Sequence, residues 1–427
     1  MSDIRLSIPA GPVDIHISVP GSKSIANRAL VCAMLAEGTS TISGLPDGDD
    51  TQVLVDALSE TKCLFRVGDN SVSINGGSNF RLPTIVDARL AGTTSRFVTA
   101  IAALSDATTI IDGQDALRGR PMSDLHDALR TLGAEVTALG ELGHLPVSVS
   151  RGTLRGGDVT IRGDVSSQFI SALMLIAPVL ELGIHITIDG PLVSRSYVQL
   201  TASVMRYFGA EVVVSEQEIV VSSGGYSPTT YFVEPDFSSA AFPVVAGVLR
   251  GGSVRIENLA LAMQQGDSAI MEIVRTMGAQ CDVDGDDVVV RSQRVTDLKP
   301  LTMNMNDCSD LVPVVAVLCA CAKGISEITG VGFIRNKESD RLGDVALELK
   351  KCGIEVEVLA DGLRIVGGIP VGAVIDTHHD HRLAMAFGVL SVVADGMLIQ
   401  DSDVISKSWP NFFEDMSSIL GVSASEN

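Results

Sequence analysis

Leu129-Arg130-Thr131-Leu132-Gly133-Ala134-Glu135-Val136 is the stretch from which the fold can be read, because the chain repeats its pattern. The same order of residue types returns as Met205-Arg206-Tyr207-Phe208-Gly209-Ala210-Glu211-Val212 and as Val274-Arg275-Thr276-Met277-Gly278-Ala279-Gln280-Cys281. A further copy is Leu349-Lys350-Lys351-Cys352-Gly353-Ile354-Glu355-Val356, and a fainter one without the glycine lies at 54–65. A basic residue in a last helical turn complements the helix dipole, and a glycine just beyond it ends the helix in the left-handed conformation. Alternating residues such as Ala210-Glu211-Val212-Val213-Val214 then form a strand, and Glu218-Ile219-Val220-Val221 returns to close a hairpin.

A repeat of about 72 residues divides a chain of 427 into about six units. Strands alternate with helices, so each unit is a βαβ-type element whose helix covers one sheet face. This is an α/β chain, not a solenoid of short repeats. No linker rich in Pro or Ser separates the units. Two pseudo-symmetric lobes of about three units each are therefore expected, meeting at a short hinge with the active site in the cleft.

Composition narrows the partners. Apolar residues make up 46% and aromatics only 4%, so the core must come from Val, Ile, Leu and Ala. Asp and Glu number 52 against 31 Lys and Arg, a formal charge of −21. Such a surface repels phosphate backbones and anionic lipid, which argues against nucleic acid and membrane as partners. An anionic small substrate would need a local basic site. The apolar run Leu311–Ala322 is too short to span a bilayer. Met1-Ser2-Asp3-Ile4 lacks a basic region before an apolar stretch, so no secretory signal is expected. The seven cysteines follow no CxxC spacing and suit small core side chains in a reducing cytoplasm.

Candidate chemistry sits at helix starts. Pro20-Gly21-Ser22-Lys23-Ser24-Ile25-Ala26-Asn27-Arg28 follows a strand at His16–Val19 and opens an apolar helix, putting amides, hydroxyls and a Lys at one N-terminus. It is not a Walker loop. Ala91-Gly92-Thr93-Thr94-Ser95-Arg96, Ser166-Ser167-Gln168 and Ser194-Arg195-Ser196-Tyr197 are helix starts of the same kind. Leu117-Arg118-Gly119-Arg120-Pro121 places two cations in a stretch expected to be non-helical before Pro. Each alone reads as an ordinary N-cap; five together in an acidic chain point to a shared polyanionic ligand.

In the C-terminal half, Asn336-Lys337-Glu338-Ser339-Asp340-Arg341 sets an acid between cations, where it can be held ionised or made to pass a proton. A surface i,i+3 salt bridge would look the same in sequence. His378-His379-Asp380-His381-Arg382 reads as a strand whose adjacent His side chains point apart, which disfavours a metal. Ser406-Lys407-Ser408-Trp409-Pro410 places a Lys beside the only Trp, a pattern a surface anchor would share.

Taken in order, PGSKSxxNR, AGTxxR, RP, SSQF, KExDRL, DHRxAM and the late Lys resemble the 5-enolpyruvylshikimate-3-phosphate synthases among the enolpyruvyl transferases. The resemblance covers nearly the whole chain, from Gly21 to Lys407. It implies an inverse α/β barrel-like architecture of six βαβαββ units in two lobes, here 1–20 with 235–427 and 21–234. It implies transfer of the enolpyruvyl group of phosphoenolpyruvate to the 5-hydroxyl of shikimate 3-phosphate, through a tetrahedral intermediate, with release of phosphate. No metal and no organic cofactor is implied, and a monomer is expected.

By the same resemblance, shikimate 3-phosphate would be held by Lys23, Ser24, Arg28, Ser166, Ser167, Gln168, Ser194, Tyr197, Asp310 and Lys337. Phosphoenolpyruvate would be held by Lys23, Gly92, Thr93, Arg120, Gln168, Arg341, Arg382 and Lys407. Asp310 would take the hydroxyl proton, Glu338 would give one to the methylene carbon, and Lys23 would stabilise the departing phosphate.

Three residues depart from the commonest pattern. Leu90 stands where many members have Asn, Phe97 where many have Pro, and Phe333 where some use Asn toward shikimate. They bear on fine substrate contacts and inhibitor sensitivity. Two rival readings are a UDP-N-acetylglucosamine enolpyruvyl transferase and a non-catalytic phosphometabolite-binding protein of the same fold. The first usually carries a reactive Cys in the loop occupied here by Leu117–Pro121, which has none, and an early Lys-Asn pair in place of Lys23-Ser24. The second has no need of an acid between cations.

Overall fold

The computed structural model describes residues 3–61, 63–68, 70–77, 80–293 and 298–421. Lys62, inside the faint copy at 54–65, lies outside them. Helices Ser123–Thr131, Arg195–Tyr207, Ala269–Met277 and Gly343–Lys351 end at the four repeated glycines. Their φ values are 105° at Gly133, 85° at Gly209, 111° at Gly278 and 79° at Gly353, the left-handed region a side chain would disfavour. The repeated cation does more than face the dipole. Arg130 Nε donates to Val136 O at 2.8 Å, Arg206 Nη2 to Val212 O at 2.7 Å and Arg275 Nε to Cys281 O at 2.6 Å. Each arginine reaches over its glycine to the following strand and fixes the angle between helix and hairpin. Lys350 holds that place in the fourth copy.

Among the described residues, five four-stranded sheets share one plan: a parallel pair, then an antiparallel hairpin added to one side. In one, Ile85–Asp87 runs parallel to Thr109–Asp112, which pairs antiparallel with Val147–Ser150 and through it with Glu135–Ala138. The faint copy builds the same hairpin from Leu64–Gly68 and Ser71–Gly76. The sixth sheet has three strands: Val374–Ile375 lies parallel to Met397–Ile399, and the N-terminal strand Ile4–Leu6 takes the antiparallel place. The six expected units are thus five full ones and a shortened one.

The chain forms two compact units, Met1–Pro20 with Glu234–Asn427, and Gly21–Val233. Each contains three sheets. In the first, Val13–Ile17 precedes residue 21 and pairs with Gly252–Ile256 after residue 234. In the second, Thr230–Phe232 returns at the end of the unit to pair with Gly38–Ser43 at its beginning. Within Gly21–Val233 the two ends touch: a β-carbon added to Gly21 would stand 3.3 Å from Val233 Cγ1 and 2.0 Å from Gly44 O. Within the other unit Asp236 N donates to Pro20 O at 2.9 Å.

Each unit has its own core of Val, Ile, Leu, Ala and Met. Helices Lys23–Leu35 and Val312–Ala320 are buried on nearly every side, which explains their unbroken apolar runs. Among the described residues no helix is long and apolar enough to cross a membrane. All seven cysteines are free thiols. Burial pushes Cys32, Cys281, Cys319, Cys321 and Cys352 up to about 12, far from reactivity.

Three local expectations need correction. Leu117 and Arg118 are helical, in the single turn Asp115–Arg118, and the chain leaves the helix only at Gly119 and Arg120. The rule that a residue before Pro avoids helix acts on Arg120 alone. His378 and His379 do not lie on a strand; both have positive φ, 48° and 56°, in a tight turn before the helix His381–Leu390. The strand leading to Pro20 is Val13–Ile17, earlier than the His16–Val19 read from sequence.

Candidate active site

In the unit Gly21–Val233 the candidates gather at four helix starts. Helices Lys23–Leu35, Gly92–Ala102 and Arg195–Tyr207 begin without a side-chain cap, whereas Ser166 Oγ accepts from Gln168 N at 3.3 Å to cap Ser167–Ile176. The positive ends of these dipoles suit an anion. Lys23 Nζ lies 2.9 Å from Asp50 Oδ2. Gln168 Nε2 donates to Thr93 Oγ1 at 3.2 Å, joining two of the helix starts.

Gly92 is confined by cations. A β-carbon there would stand 2.8 Å from Arg96 Nη1 and 3.0 Å from Arg120 Nη1. The structure therefore adds Arg96 to the list. It is buried, donates to Gly92 O at 2.9 Å and lies over the Phe169 ring. Its signal in sequence was the last residue of AGTxxR, a cation on the first turn of an apolar helix.

Arg28 is held by the protein itself. Its Nε donates to Thr201 Oγ1 at 2.6 Å and Nη1 to Ser24 O at 2.7 Å, while Nη2 reaches Ser171 Oγ at 3.1 Å and Tyr197 O at 3.5 Å. Burial lowers its guanidinium to about 10, and the Phe97 ring lies 5.3 Å below it. Arg28 so ties together the backbones that carry Ser24 and Tyr197. Ser167 is buried at its helix start. Ser194 has φ 52° and a buried Oγ with no hydrogen-bond partner among the described residues.

In the other unit the candidates converge on Arg341, which is 1% exposed and grips three carboxylates. Its Nε donates to Asp380 Oδ2 at 2.7 Å, Nη1 to Asp310 Oδ1 at 2.9 Å and Nη2 to Glu338 Oε2 at 2.8 Å. The i,i+3 pair of Glu338 and Arg341 is therefore a largely buried one. Burial alone would lower the Arg341 guanidinium, but Asp380, Glu338 and Asp310 outweigh it and raise it. Arg382 Nη2 donates to the other oxygen of Asp310 at 2.9 Å. Lys407 Nζ stands 3.5 Å from Glu338 Oε1.

Burial would raise the Asp310 carboxyl, yet Arg382, Lys337 and Arg341 together hold it well below the ordinary carboxylate range. Lys337 lies over the Phe333 ring at 6.0 Å, and burial lowers its ammonium. Trp409 is buried and its Nε1 donates to Asp415 Oδ2 at 2.6 Å, so the residue beside Lys407 is a core side chain.

Two acids were missed. Asp380 is fully buried, caps the helix His381–Leu390 through Arg382 N at 2.9 Å, and accepts from Ser339 Oγ at 3.2 Å besides Arg341. An acid directly before an apolar helical run was its signal. Asp267, also buried, accepts from Ser238 Oγ, and burial with the nearby Asp310 charge pushes its carboxyl up to about 7. Nothing in the local sequence distinguishes it.

This arrangement can hold anions, supply fixed cations to developing charge and move protons through carboxylates. The model of the family EPSP synthase (3-phosphoshikimate 1-carboxyvinyltransferase) matches residues 9–416. The chain is 39% identical over 411 residues to the 3-phosphoshikimate 1-carboxyvinyltransferase of Methanothermobacter thermautotrophicus, covering 96% of this chain and 97% of that one. The structure is similar to EPSP synthase from Acinetobacter baumannii, with TM-score 0.81, 26% identity and 98% of each chain covered. It is also similar to the enolpyruvyl transferase NikO from Streptomyces tendae, with TM-score 0.79, 17% identity and coverage of 99% and 98%, a likeness of fold alone. Since the matched span takes in every motif from Lys23 to Lys407, the chain belongs to the EPSP synthase family.

Proposed function

We infer that this protein transfers the enolpyruvyl group of phosphoenolpyruvate to the 5-hydroxyl of shikimate 3-phosphate, releasing phosphate, in the shikimate pathway to aromatic amino acids. The observation that carries the reading at the level of chemistry is Arg341, buried among Glu338, Asp310 and Asp380 with Arg382 and Lys407 beside them. A surface salt bridge needs no such burial, and a simple binding site needs no acid set between cations.

The roles follow from chemistry. Ser24, Arg28, Ser166, Ser167, Gln168, Ser194 and Tyr197, with Asp310 and Lys337, are assigned to shikimate 3-phosphate. Hydroxyls and helix amides offer neutral donors to its phosphate. Lys23, Gly92, Thr93, Arg120, Gln168, Arg341, Arg382 and Lys407 are assigned to phosphoenolpyruvate. Planar guanidinium forks suit its carboxylate, and ammonium groups suit its phosphate as point charges. Gly92 leaves the room that Arg120 and Arg96 need to approach.

Asp310 is assigned the proton of the attacking hydroxyl. Paired with Arg341 and Arg382 it is a weak base. A substrate carboxylate that takes over these guanidiniums releases Asp310 and raises its basicity, so the donor's arrival prepares the base. Glu338 then protonates the methylene carbon; as the tetrahedral intermediate collapses, the Glu338 carboxylate takes a proton back from the methyl group so formed, the C–O bond to phosphate breaks, and Lys23 stabilises the departing phosphate. We further assign it a monomeric state and a cytoplasmic location, in keeping with its −21 charge and thiols buried as free groups.

The test is phosphate release from phosphoenolpyruvate, with shikimate 3-phosphate in one reaction and UDP-N-acetylglucosamine in the other. Release is expected only in the first. Release only in the second would overturn the acceptor, and silence in both from folded protein would overturn the reaction.

A further inference from the structure

The turn that carries Asp380 and Arg382 is built from unfavourable backbone. His378 and His379 are consecutive residues other than glycine with positive φ, 48° and 56°. Such a conformation persists only where surrounding contacts impose it. Several do. Asp376 Oδ1 accepts from His378 N at 2.8 Å, Asp380 N donates to Thr377 O at 2.8 Å, and His379 Nδ1 meets Asp401 Oδ2 at 2.9 Å.

A further contact from outside the turn is made by Glu348. It is 0% exposed, on the helix Gly343–Lys351 that follows Arg341. Its Oε1 lies 2.8 Å from His378 Nε2, its Oε2 accepts from Asp376 N at 3.2 Å, and Lys351 Nζ stands 2.7 Å from Oε2. Asp344 Oδ1, one helical turn before Glu348, is 3.6 Å from His378 Nδ1. A buried carboxylate is costly unless its oxygens are satisfied, so this helix and this turn hold each other in place. Arg341 enters that helix and Arg382 leaves that turn.

We propose that His378 and Glu348 are positioning residues, which lock the segment bearing Asp380 and Arg382 to the segment bearing Arg341 and so set the spacing of the two guanidiniums. Neither side chain is assigned a contact with substrate. The inference rests on the assignment of both arginines to the carboxylate of phosphoenolpyruvate. A fork held by an ordered neighbour loses less freedom on binding an anion, so the pair acts on donor affinity.

Two variants separate the hydrogen bond from the backbone. His378→Asn tolerates positive φ but is too short to reach Glu348; His378→Gln keeps a donor of sufficient reach. For His378→Asn the expected result is a KM for phosphoenolpyruvate raised about five-fold or more, with kcat and the KM for shikimate 3-phosphate within about two-fold. Amide hydrogen exchange over residues 376–382 should quicken about ten-fold while other segments keep wild-type rates. His378→Gln should restore both. Wild-type values for His378→Asn in both measurements would overturn the proposal, as would equal loss in the two variants. If the wild-type protein fails to react with either acceptor, the reaction assignment falls, and the exchange rates still decide whether the pair orders the turn.

Discussion

The two units hold their buried arginines in opposite ways. In Gly21–Val233 the arginines lean on carbonyls, hydroxyls and rings: Arg28 on Thr201, Ser171 and two backbone oxygens, and Arg96 on Gly92 O and the Phe169 ring. In the other unit Arg341 and Arg382 lean on carboxylates. An anion arriving at the first set meets guanidiniums oriented by neutral groups. At the second it must take a guanidinium from an acid already paired. That exchange weakens raw affinity and gives chemistry in return, because each displaced carboxylate regains basicity. The first pair of arginines is arranged to hold; the second is arranged to react.

The comparison breaks most visibly at Arg341. Arg341→Met should leave the buried Asp380 and the partly buried Asp310 and Glu338 without their shared cation. It should lower kcat/KM by about 10³-fold or more and destabilise the fold by about 3–5 kcal/mol, read by phosphate release and urea unfolding. Near-normal stability would mean that the acids are not held as a charged set. Next is Glu338→Gln, which keeps the shape and one acceptor. Turnover should fall about 10²–10⁴-fold while the unfolding midpoint moves little. Turnover close to wild type would remove Glu338 as the proton donor.

Ser194→Ala probes the holding unit. The KM for shikimate 3-phosphate should rise about ten-fold with kcat almost unchanged, since one neutral hydrogen bond to a charged group contributes about 1.5–3 kcal/mol at most. Stability should not fall, because the buried Oγ has no partner among the described residues to lose. A drop in kcat with unchanged KM would assign this serine to the reacting half instead.

The smallest effect concerns acid stability. His126 is 0% exposed with neither ring nitrogen partnered among the described residues, and burial lowers its imidazole to about 4 from 6.5. A group depressed on folding takes up its proton more readily when unfolded, so the protein loses stability as pH falls from about 6.5 to 4. His126→Val should remove up to about 3 kcal/mol of that loss in this window and change nothing at pH 8. Parallel unfolding curves for the two proteins across this range would show that His126 does not titrate on unfolding.

The fold was legible because its marks are local. A cation, a glycine three residues on and an alternating strand report a helix stop and hairpin wherever they occur, and Gly133, Gly209, Gly278 and Gly353 all carry positive φ. The helix starts were legible for the same reason. What sequence could not distinguish depends on distant partners. The pair Glu338 and Arg341 reads alike on a surface or in a core, and only Asp380, 39 residues away, and Asp310, 31 away, reveal the burial. Arg28 reads in sequence as a ligand-facing cation, and its contacts with Ser171 and Thr201, far along the chain, could not be read there. The His378 turn departed from a strand because its backbone is imposed from Glu348 rather than preferred locally.

The chain enters and leaves Gly21–Val233 at neighbouring points, and in the other unit the flanking Pro20 and Asp236 are hydrogen-bonded to each other. In genetic terms the central segment is therefore a cassette. A single contiguous stretch of chain forms three complete sheets among the described residues, and its removal leaves two ends that a short splice can rejoin. Each product would carry one of the two manners of holding cations, available for separate expression and spectroscopy.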